Sequence, residues 1–145
     1  MAELFAAVAA ERTGIASEPP VDIDERTAIF AAGVAGATGT FVAVAGDQIV
    51  GLIRVKPSHH GFGDLAMLVD RDWRGRGVGT ALVRAAIDWS RGQGLHKLCL
   101  EVFAHNEAAI ALYRKCGFAD EGRRPAQYRR ASGELWDSIV MGLPL

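Results

Sequence analysis

The chain has 145 residues, 50% of them hydrophobic, and carries 16 basic against 17 acidic side chains. This length fits one domain, residues 1–145, with a full hydrophobic core. The near-neutral charge argues against a general binder of nucleic acids or membrane surfaces, because either needs a basic excess to neutralise phosphates. No apolar stretch is long enough to span a membrane, and residues 1–10 lack the features of a secretory signal, so we expect a cytoplasmic protein.

The N-terminal region predicts two helices. The first covers residues 3–11 and ends before the break at 17–20, which contains two prolines. The second helix is capped by Asp22 or Asp24, and it ends where glycines at 33, 36 and 39 interrupt the helical spacing of apolar residues. Three apolar side chains of this second helix are predicted to face the core: Ile29, Phe30 and Val34.

Strands and helices then alternate to the end of the chain. Residues 41–45 and 48–56 are predicted to form a hairpin around Gly46-Asp47, and residues 64–70 a third strand. A helix runs from Val78 to the glycines at 92 and 94, followed by a central strand at 96–103 and a helix capped by Asn106. The final strands are predicted at 118–121 and 135–143, separated by an arginine-rich segment.

The segment 74–80, Arg-Gly-Arg-Gly-Val-Gly-Thr, lies between a strand and a helix. Glycines at alternate positions expose backbone amides at a helix N-terminus, which suits a diphosphate. The P-loop order of Lys and Ser/Thr is absent, which excludes that motif. A dinucleotide fingerprint is disfavoured, because the third glycine is one position early and hairpin strands precede the loop.

Two ordered motifs indicate a family. Arg74-x-x-Gly77-x-Gly79 resembles the acyl-CoA signature of the GNAT superfamily of N-acyltransferases, and it follows Val69-Asp70 at the usual spacing. A second set resembles the strand, capping Asn, helix Tyr and closing Gly-Phe of the same family: Leu100-Glu101-Val102, Asn106, Ala109-Ile110, Leu112-Tyr113 and Cys116-Gly117-Phe118. Both sets are similar in motif to the bacterial N-terminal-alanine acetyltransferases.

The resemblance implies an α/β (α+β) fold with one mixed, mostly antiparallel sheet, a splayed central parallel pair and about four helices. It also implies acetyl-CoA as cosubstrate, with no metal. The pantetheine arm would contact the backbone of Met67, Leu68 and Val69 and the amide of Asn106. The diphosphate would lie against the segment Arg74, Gly75, Arg76, Gly77, Val78, Gly79 and Thr80.

The resemblance also implies two catalytic side chains, each with an alternative. Glu101 is placed as the general base, although a carboxylate beside Cys99 and Phe103 could instead form a structural salt bridge with a nearby arginine. Tyr113 is placed as the general acid that protonates the departing thiolate, although a helix tyrosine could be a core aromatic. His59, His60 and His105 are weaker candidates for the base.

Other features leave the acceptor open. Cys99, inside a central strand, is disfavoured as an acyl carrier, so direct transfer to a primary amine is predicted. Four arginines around Tyr128 either favour an acidic acceptor or form a solvated edge: Arg123, Arg124, Arg129 and Arg130. The acceptor is a protein N-terminus or a small-molecule amine; the alternative function is a catalytically silent acyl-CoA sensor.

One departure from the family concerns the first strand. The family usually begins with a strand before the first helix, whereas this sequence enters the first helix directly. The first sheet edge is therefore predicted to be absent or supplied by another chain. Because an open edge can pair with a second molecule, a homodimer is predicted.

Overall fold

A computed structural model describes all 145 residues, with four α-helices and six strands. In chain order they are α1 (Ala2–Ala10), α2 (Ile23–Ala35), β1 (Gly39–Ala45), β2 (Gln48–Pro57), β3 (Phe62–Val69), α3 (Val78–Gly92), β4 (Lys97–Phe103), α4 (Glu107–Lys115), β5 (Ala119–Arg129) and β6 (Leu135–Pro144). The strands form one sheet in the order β1-β2-β3-β4-β6-β5. Only β3 and β4 are parallel, which confirms the predicted fold class.

Each face of the sheet has its own apolar core. Consecutive residues of a strand point to opposite faces, so Ile53 and Leu52 of β2 enter different cores. Ile53 packs in the larger core, to which α3 contributes Leu82 and Val83 and α4 contributes Ile110. The smaller core joins Leu52 to one side of α1 and to Phe30 of α2. The helices thus cover both faces and leave the sheet edges open.

The parallel pair of strands separates part of the way along its length. β3 and β4 pair at Phe62–Lys97, Gly63–Leu98 and Asp64–Cys99 and nowhere beyond. Both strands continue, β3 to Val69 and β4 to Phe103. The inner edges of these continuations therefore face a gap instead of a partner strand.

Gly63 permits the close pairing at the narrow end of this gap. A Cβ at Gly63 would lie 2.6 Å from Val55 Cγ1 and 3.0 Å from Leu98 Cδ2, and both neighbours are fully buried. Because neither side chain has room to move, we expect Gly63→Ala to lower the free energy of unfolding by about 1–3 kcal/mol. Urea denaturation measures this change.

Gly122 of β5 supplies the matched control. Its Cβ would meet no heavy atom within 4 Å, so Gly122→Ala is expected to change the free energy of unfolding by less than about 0.5 kcal/mol. Equal stability of the two variants would show that the β3–β4 contact at Gly63 is not tightly packed.

Two details of the sequence prediction are wrong. Ile29 and Val34 of α2 are 39% and 56% exposed, so only Phe30 of the predicted trio is buried. The ends of this helix agree with the prediction, because Asp22 caps it and it stops at Ala35, after Gly33 and before Gly36. The arginine-rich segment is not a connection, because β5 continues through it to Arg129 and pairs with β6 across a bulge.

The sheet begins with β1, and α1 and α2 precede it in the chain. β1 forms an open outer edge on which Val42 and Val44 are exposed. No helix combines the length and the apolar character needed to cross a lipid bilayer.

Candidate active site

A cavity of about 820 Å³ occupies the gap between the separated strands. Its lining includes one side of β3, the glycine segment before α3, the end of β4 and the inner face of α4. Eleven of the thirteen predicted site residues line it: Met67, Leu68, Val69, Arg74, Gly75, Gly77, Gly79, Thr80, Glu101, Asn106 and Tyr113. The separation of two strands has therefore brought together residues that are distant in sequence.

The three motif glycines are required for two different reasons. Gly75 and Gly77 have φ values of +73° and +86°, and no atom lies within 4 Å of where their Cβ atoms would be. Glycine is needed there for backbone conformation. A Cβ at Gly79 would instead lie 2.9 Å from Leu112 Cδ2 of α4. Gly79 therefore allows α3 and α4 to approach each other beside the cavity.

The N-terminus of α3 presents unpaired backbone amides. Gly77 is its cap and has no side chain to accept a hydrogen bond, and the first turn contains no acidic residue. The first hydrogen bond of the helix runs from the Ala81 N–H to the Gly77 carbonyl, at 3.0 Å. The backbone amides of residues 78–80 therefore have no carbonyl acceptor within the helix. With the positive end of the helix dipole, they form a site suited to an anion.

The two motif arginines are engaged by protein groups. Arg74 makes a bidentate ion pair with Glu11 at 2.7 and 2.8 Å, and its Nε donates to the Val69 carbonyl at 3.0 Å. The Arg76 guanidinium lies 5.3 Å from the centre of the Trp73 ring. Arg76 does not line the cavity, and neither does Val78, whose side chain packs on the core.

Only alternate residues of β3 direct their backbone groups into the gap. The Asp70 N–H donates to the Val50 carbonyl at 2.9 Å, so the alternation of an antiparallel pair turns the backbone of Leu68 toward β2 as well. The N–H and C=O groups of Met67 and Val69 then face the gap. Among the three residues predicted to contact the ligand through the backbone, this geometry favours Met67 and Val69.

Glu101 lies near the end of β4 and has three polar neighbours. Its carboxylate accepts from Arg124 Nη1 at 2.9 Å and from the hydroxyl of the buried Ser138. Tyr128 of β5 also lines the cavity, and burial, followed by the neighbouring Glu101 carboxylate, raises the pKa of its phenol. The salt bridge considered from the sequence is present, and the carboxylate nevertheless lines the cavity. The same geometry can hold a structural ion pair or orient a base.

Tyr113 lies on α4 with 6% of its surface exposed, and its ring makes an edge contact with Phe118 at 5.7 Å. Burial, followed by the nearby Cys116 thiol, strongly raises the pKa of the phenol. It therefore stays protonated at neutral pH and can donate a proton into the cavity. Asn106 caps α4 by accepting from the Ala109 N–H at 3.2 Å.

The structure adds two residues that the sequence did not assign to the site, and it places them beside His105, one of the weaker candidates for the base. Thr13 and Ala16, in the connection between α1 and α2, line the cavity together with His105 and Tyr128. His105 contacts the Thr13 carbonyl through Nε2 at 3.3 Å and packs edge-on against Trp136. No motif marks these residues, because the contacts join the two ends of the chain.

Several weaker candidates lie outside the cavity lining. Cys99 is half-buried at the closed end of the β3–β4 pair, and burial raises the pKa of its thiol. The exposed His59 and His60 contact each other in the β2–β3 loop. No group of His, Cys, Asp and Glu side chains is arranged to hold a metal ion.

Comparison with known proteins agrees with this geometry. Residues 3–118 match the model of the acetyltransferase (GNAT) family. The chain is 33% identical over 139 residues to an L-methionine sulfoximine/L-methionine sulfone acetyltransferase of Pseudomonas paraeruginosa, a match that covers 92% of this chain and 80% of that protein. It is 43% identical over 77 residues to the ribosomal protein bS18-alanine N-acetyltransferase of Salmonella typhimurium, a match that covers 53% of this chain and 51% of the relative.

Solved structures show the same fold. A ribosomal-protein-alanine N-acetyltransferase from Brucella melitensis superposes with a TM-score of 0.89 at 26% identity, covering 99% of this chain and 91% of that one. A phosphinothricin acetyltransferase from Sinorhizobium meliloti, solved with acetyl-CoA, has a TM-score of 0.89 at 19% identity over 99% of this chain and 80% of that one, which is a likeness of fold. The protein belongs to the GNAT family of acetyltransferases and is an acyltransferase.

Proposed function

We propose that the protein transfers an acetyl group directly from acetyl-CoA to a primary amine. The observation that carries the proposal is a single cavity that joins the unpaired amides of α3 to Glu101 and Tyr113. One end suits an anion and the other contains a carboxylate and a protonated phenol. These are the groups that acyl transfer between a CoA thioester and an amine requires.

The residues present fit acetyl-CoA along the length of the gap. The α3 amides and the open backbone at Gly75 and Gly77 would hold the diphosphate. The gap-facing backbone of Met67 and the N–H of Val69 would hydrogen-bond the pantetheine arm, while the Val69 carbonyl accepts from Arg74, and the Asn106 amide would bind the arm as well. Arg74 lies beside the diphosphate site but is paired with Glu11, so its contribution is smaller than a free guanidinium would give.

Glu101 and Tyr113 would move the two protons of the reaction. Glu101 accepts a proton from the acceptor ammonium, directly or through a water molecule, and the neutral amine attacks the thioester carbonyl carbon. The C–S bond breaks and an amide C–N bond forms. Tyr113 protonates the departing thiolate, and its phenolate recovers the proton that the amine loses on amide formation. Cys99 lies outside the cavity, which supports direct transfer over an acyl-cysteine route.

The acceptor is a protein N-terminus or a small-molecule amine. The relative matched over 92% of this chain is named for amino acid derivatives, and the relative matched over 53% is named for a protein N-terminus. Both acceptors present a primary amine to the end of the cavity formed by Glu101, Tyr128 and Thr13. A homodimer and a cytoplasmic location stay predictions of the sequence, and we infer that residues 1–145 act as one domain.

Release of the CoA thiol from acetyl-CoA tests the proposal. The acceptor panel contains amino acid derivatives, including methionine sulfoximine and methionine sulfone, and peptides with a free N-terminal alanine. Acetyl-CoA without acceptor measures hydrolysis as the control. Acceptor-dependent thiol release with a matching acetylated product supports the proposal. Tight acetyl-CoA binding with no acceptor-dependent release across the panel would favour the acyl-CoA sensor.

The diphosphate site predicts a specific loss in a glycine variant. Gly77→Ala places a Cβ on a residue at φ +86°, which costs about 1–2 kcal/mol when the left-handed conformation is kept. If the loop relaxes to relieve this strain, the α3 amides move, and we expect the acetyl-CoA Kd to rise about tenfold. Isothermal titration calorimetry measures the change.

Gly46→Ala is the matched control. Gly46 has φ +58° in the β1–β2 turn and no atom near its Cβ position, so the variant carries a comparable backbone strain away from the cavity. We expect its acetyl-CoA affinity to equal that of the wild type. Equal losses of affinity in both variants would show that strain, not the diphosphate site, is responsible.

A further inference from the structure

The connection between α1 and α2 forms one wall of the cavity at its acceptor end. Thr13 and Ala16 line the cavity, as do Tyr128 and His105, and His105 contacts the Thr13 carbonyl. The connection contains no helix or strand, and Arg12 at its start has φ +59°. A segment of this kind needs contacts from elsewhere in the chain to keep one conformation.

Arg130, immediately after β5, supplies those contacts. It is 4% exposed, although Arg is seldom buried without partners. Its guanidinium donates to the carbonyls of Ala16 at 2.9 Å and Arg12 at 3.2 Å, and it also reaches that of Ile15 at 3.4 Å. Its Nη2 forms an ion pair with Glu18 at 3.0 Å. One planar side chain thus contacts four residues of the connection.

Two further contacts fix the geometry. Glu18 also accepts from the Ala131 N–H at 2.7 Å, so it binds both the side chain of Arg130 and the backbone of the next residue. The Arg130 guanidinium lies 4.5 Å from the centre of the Trp136 ring, which belongs to the same aromatic cluster as His105. The connection is therefore held against the acceptor side of the sheet.

We propose that Arg130 is a positioning residue that holds the Arg12–Glu18 segment as the acceptor wall of the active site. It does not contact the reacting atoms. The planar guanidinium presents several N–H donors, which can bind several carbonyls of a single loop at once. The compact ammonium of a lysine could not bind them in the same arrangement. The role in acceptor binding rests on the proposed function. The holding of the segment by Arg130 rests only on the hydrogen bonds and the ion pair described above.

Two variants and two measurements test the proposal. Arg130→Met keeps much of the apolar stem and removes every hydrogen bond that the Arg130 side chain makes to the segment, while the bond from the Ala131 N–H to Glu18 remains. Glu18→Gln removes only the charge of the partner. Trypsin cleavage after Arg12, followed by mass spectrometry, reports on the conformation of the segment without requiring enzyme activity. Arg12 is exposed, but its left-handed backbone and hydrogen-bonded carbonyl hinder the extended conformation that a protease needs for cleavage. Steady-state kinetics report KM for acceptor and for acetyl-CoA separately.

Arg130→Met is expected to raise both the rate of cleavage after Arg12 and the KM for the acceptor about tenfold. A rise of this size follows if the segment occupies its binding-competent conformation about a tenth of the time in the variant. The KM of acetyl-CoA and kcat should change less than about twofold, since the diphosphate site is made by other elements. Glu18→Gln should shift both quantities in the same direction by a smaller factor. If Arg130→Met does not fold, the Glu18→Gln variant still tests the proposal. Arg91→Met, an exposed arginine of α3, is the charge-matched control and should behave as the wild type.

Unchanged cleavage in both variants would overturn the proposal. So would faster cleavage with an unchanged acceptor KM, because the segment would then have no role in acceptor binding, and so would a rise confined to the KM of acetyl-CoA. Absence of acceptor-dependent turnover in the wild type would overturn the proposed function instead, and the cleavage comparison does not depend on it.

Discussion

Replacing Glu101 by Gln is expected to lower kcat/KM for the amine by about 10²–10⁴-fold near pH 7. The amide keeps the shape of the carboxylate and can still contact Arg124 and Ser138, but it cannot take a proton from an ammonium. The deficit should shrink as the pH rises through the acceptor's own pKa, about 8 for an α-amine, because the amine then arrives neutral without a base. Initial rates of thiol release from pH 6 to 9 measure both effects.

Two comparison variants separate a base from a structural ion pair. Glu121→Gln removes an exposed β5 carboxylate paired with Lys97 and should leave turnover unchanged. Arg124→Met breaks the ion pair but leaves the Glu101 carboxylate in the cavity. If Glu101 is the base, Arg124→Met should cost much less activity than Glu101→Gln. Equal losses in these two variants would mean that Glu101 acts only through the salt bridge.

Replacing Tyr113 by Phe is expected to lower kcat about 10²–10³-fold with little change in either KM. Phe keeps the ring contact with Phe118, so the thermal midpoint should stay within a few degrees of the wild type. Because burial raises the pKa of the Tyr113 phenol, the wild-type residue is protonated over the whole neutral range. The ratio of wild-type to variant kcat should therefore stay constant from pH 7 to about pH 9.

The chain's other tyrosine provides the control for this prediction. Tyr128 also lines the cavity, but it lies beside Glu101 on the acceptor side. Tyr128→Phe should therefore retain most of kcat. If Tyr128→Phe carries the large loss and Tyr113→Phe does not, the assignment of the general acid is wrong.

The glycine segment shows how far sequence reasoning reaches. Positive φ at Gly75 and Gly77, and the start of α3 at Val78, follow from local rules of backbone sterics and hydrophobic periodicity. The reason for Gly79 does not, because its close neighbour Leu112 belongs to another helix. The same limit applies to Arg74, whose pairing with Glu11 joins the motif to the end of α1.

The errors in the sequence prediction have a common physical cause. β5 is an edge strand with almost every residue exposed, so it lacks the alternation of apolar and polar residues that marks a half-buried strand. α2 covers the sheet loosely, and a pattern of apolar residues could not show that Phe30 alone would be buried. In both elements, residues that are remote in sequence determine which side chains become buried.

The sequence by itself determined the order of elements, the family and the residue types that can perform acyl transfer. These depend on local backbone preferences and on motifs with fixed spacing. Only the tertiary structure decided which backbone groups face the gap, that Glu101 has Arg124 and Ser138 as partners, and that Arg130 is the buried member of an adjacent arginine pair. Those outcomes depend on strand register and on contacts between distant parts of the chain, where burial and hydrogen bonding act across the sheet.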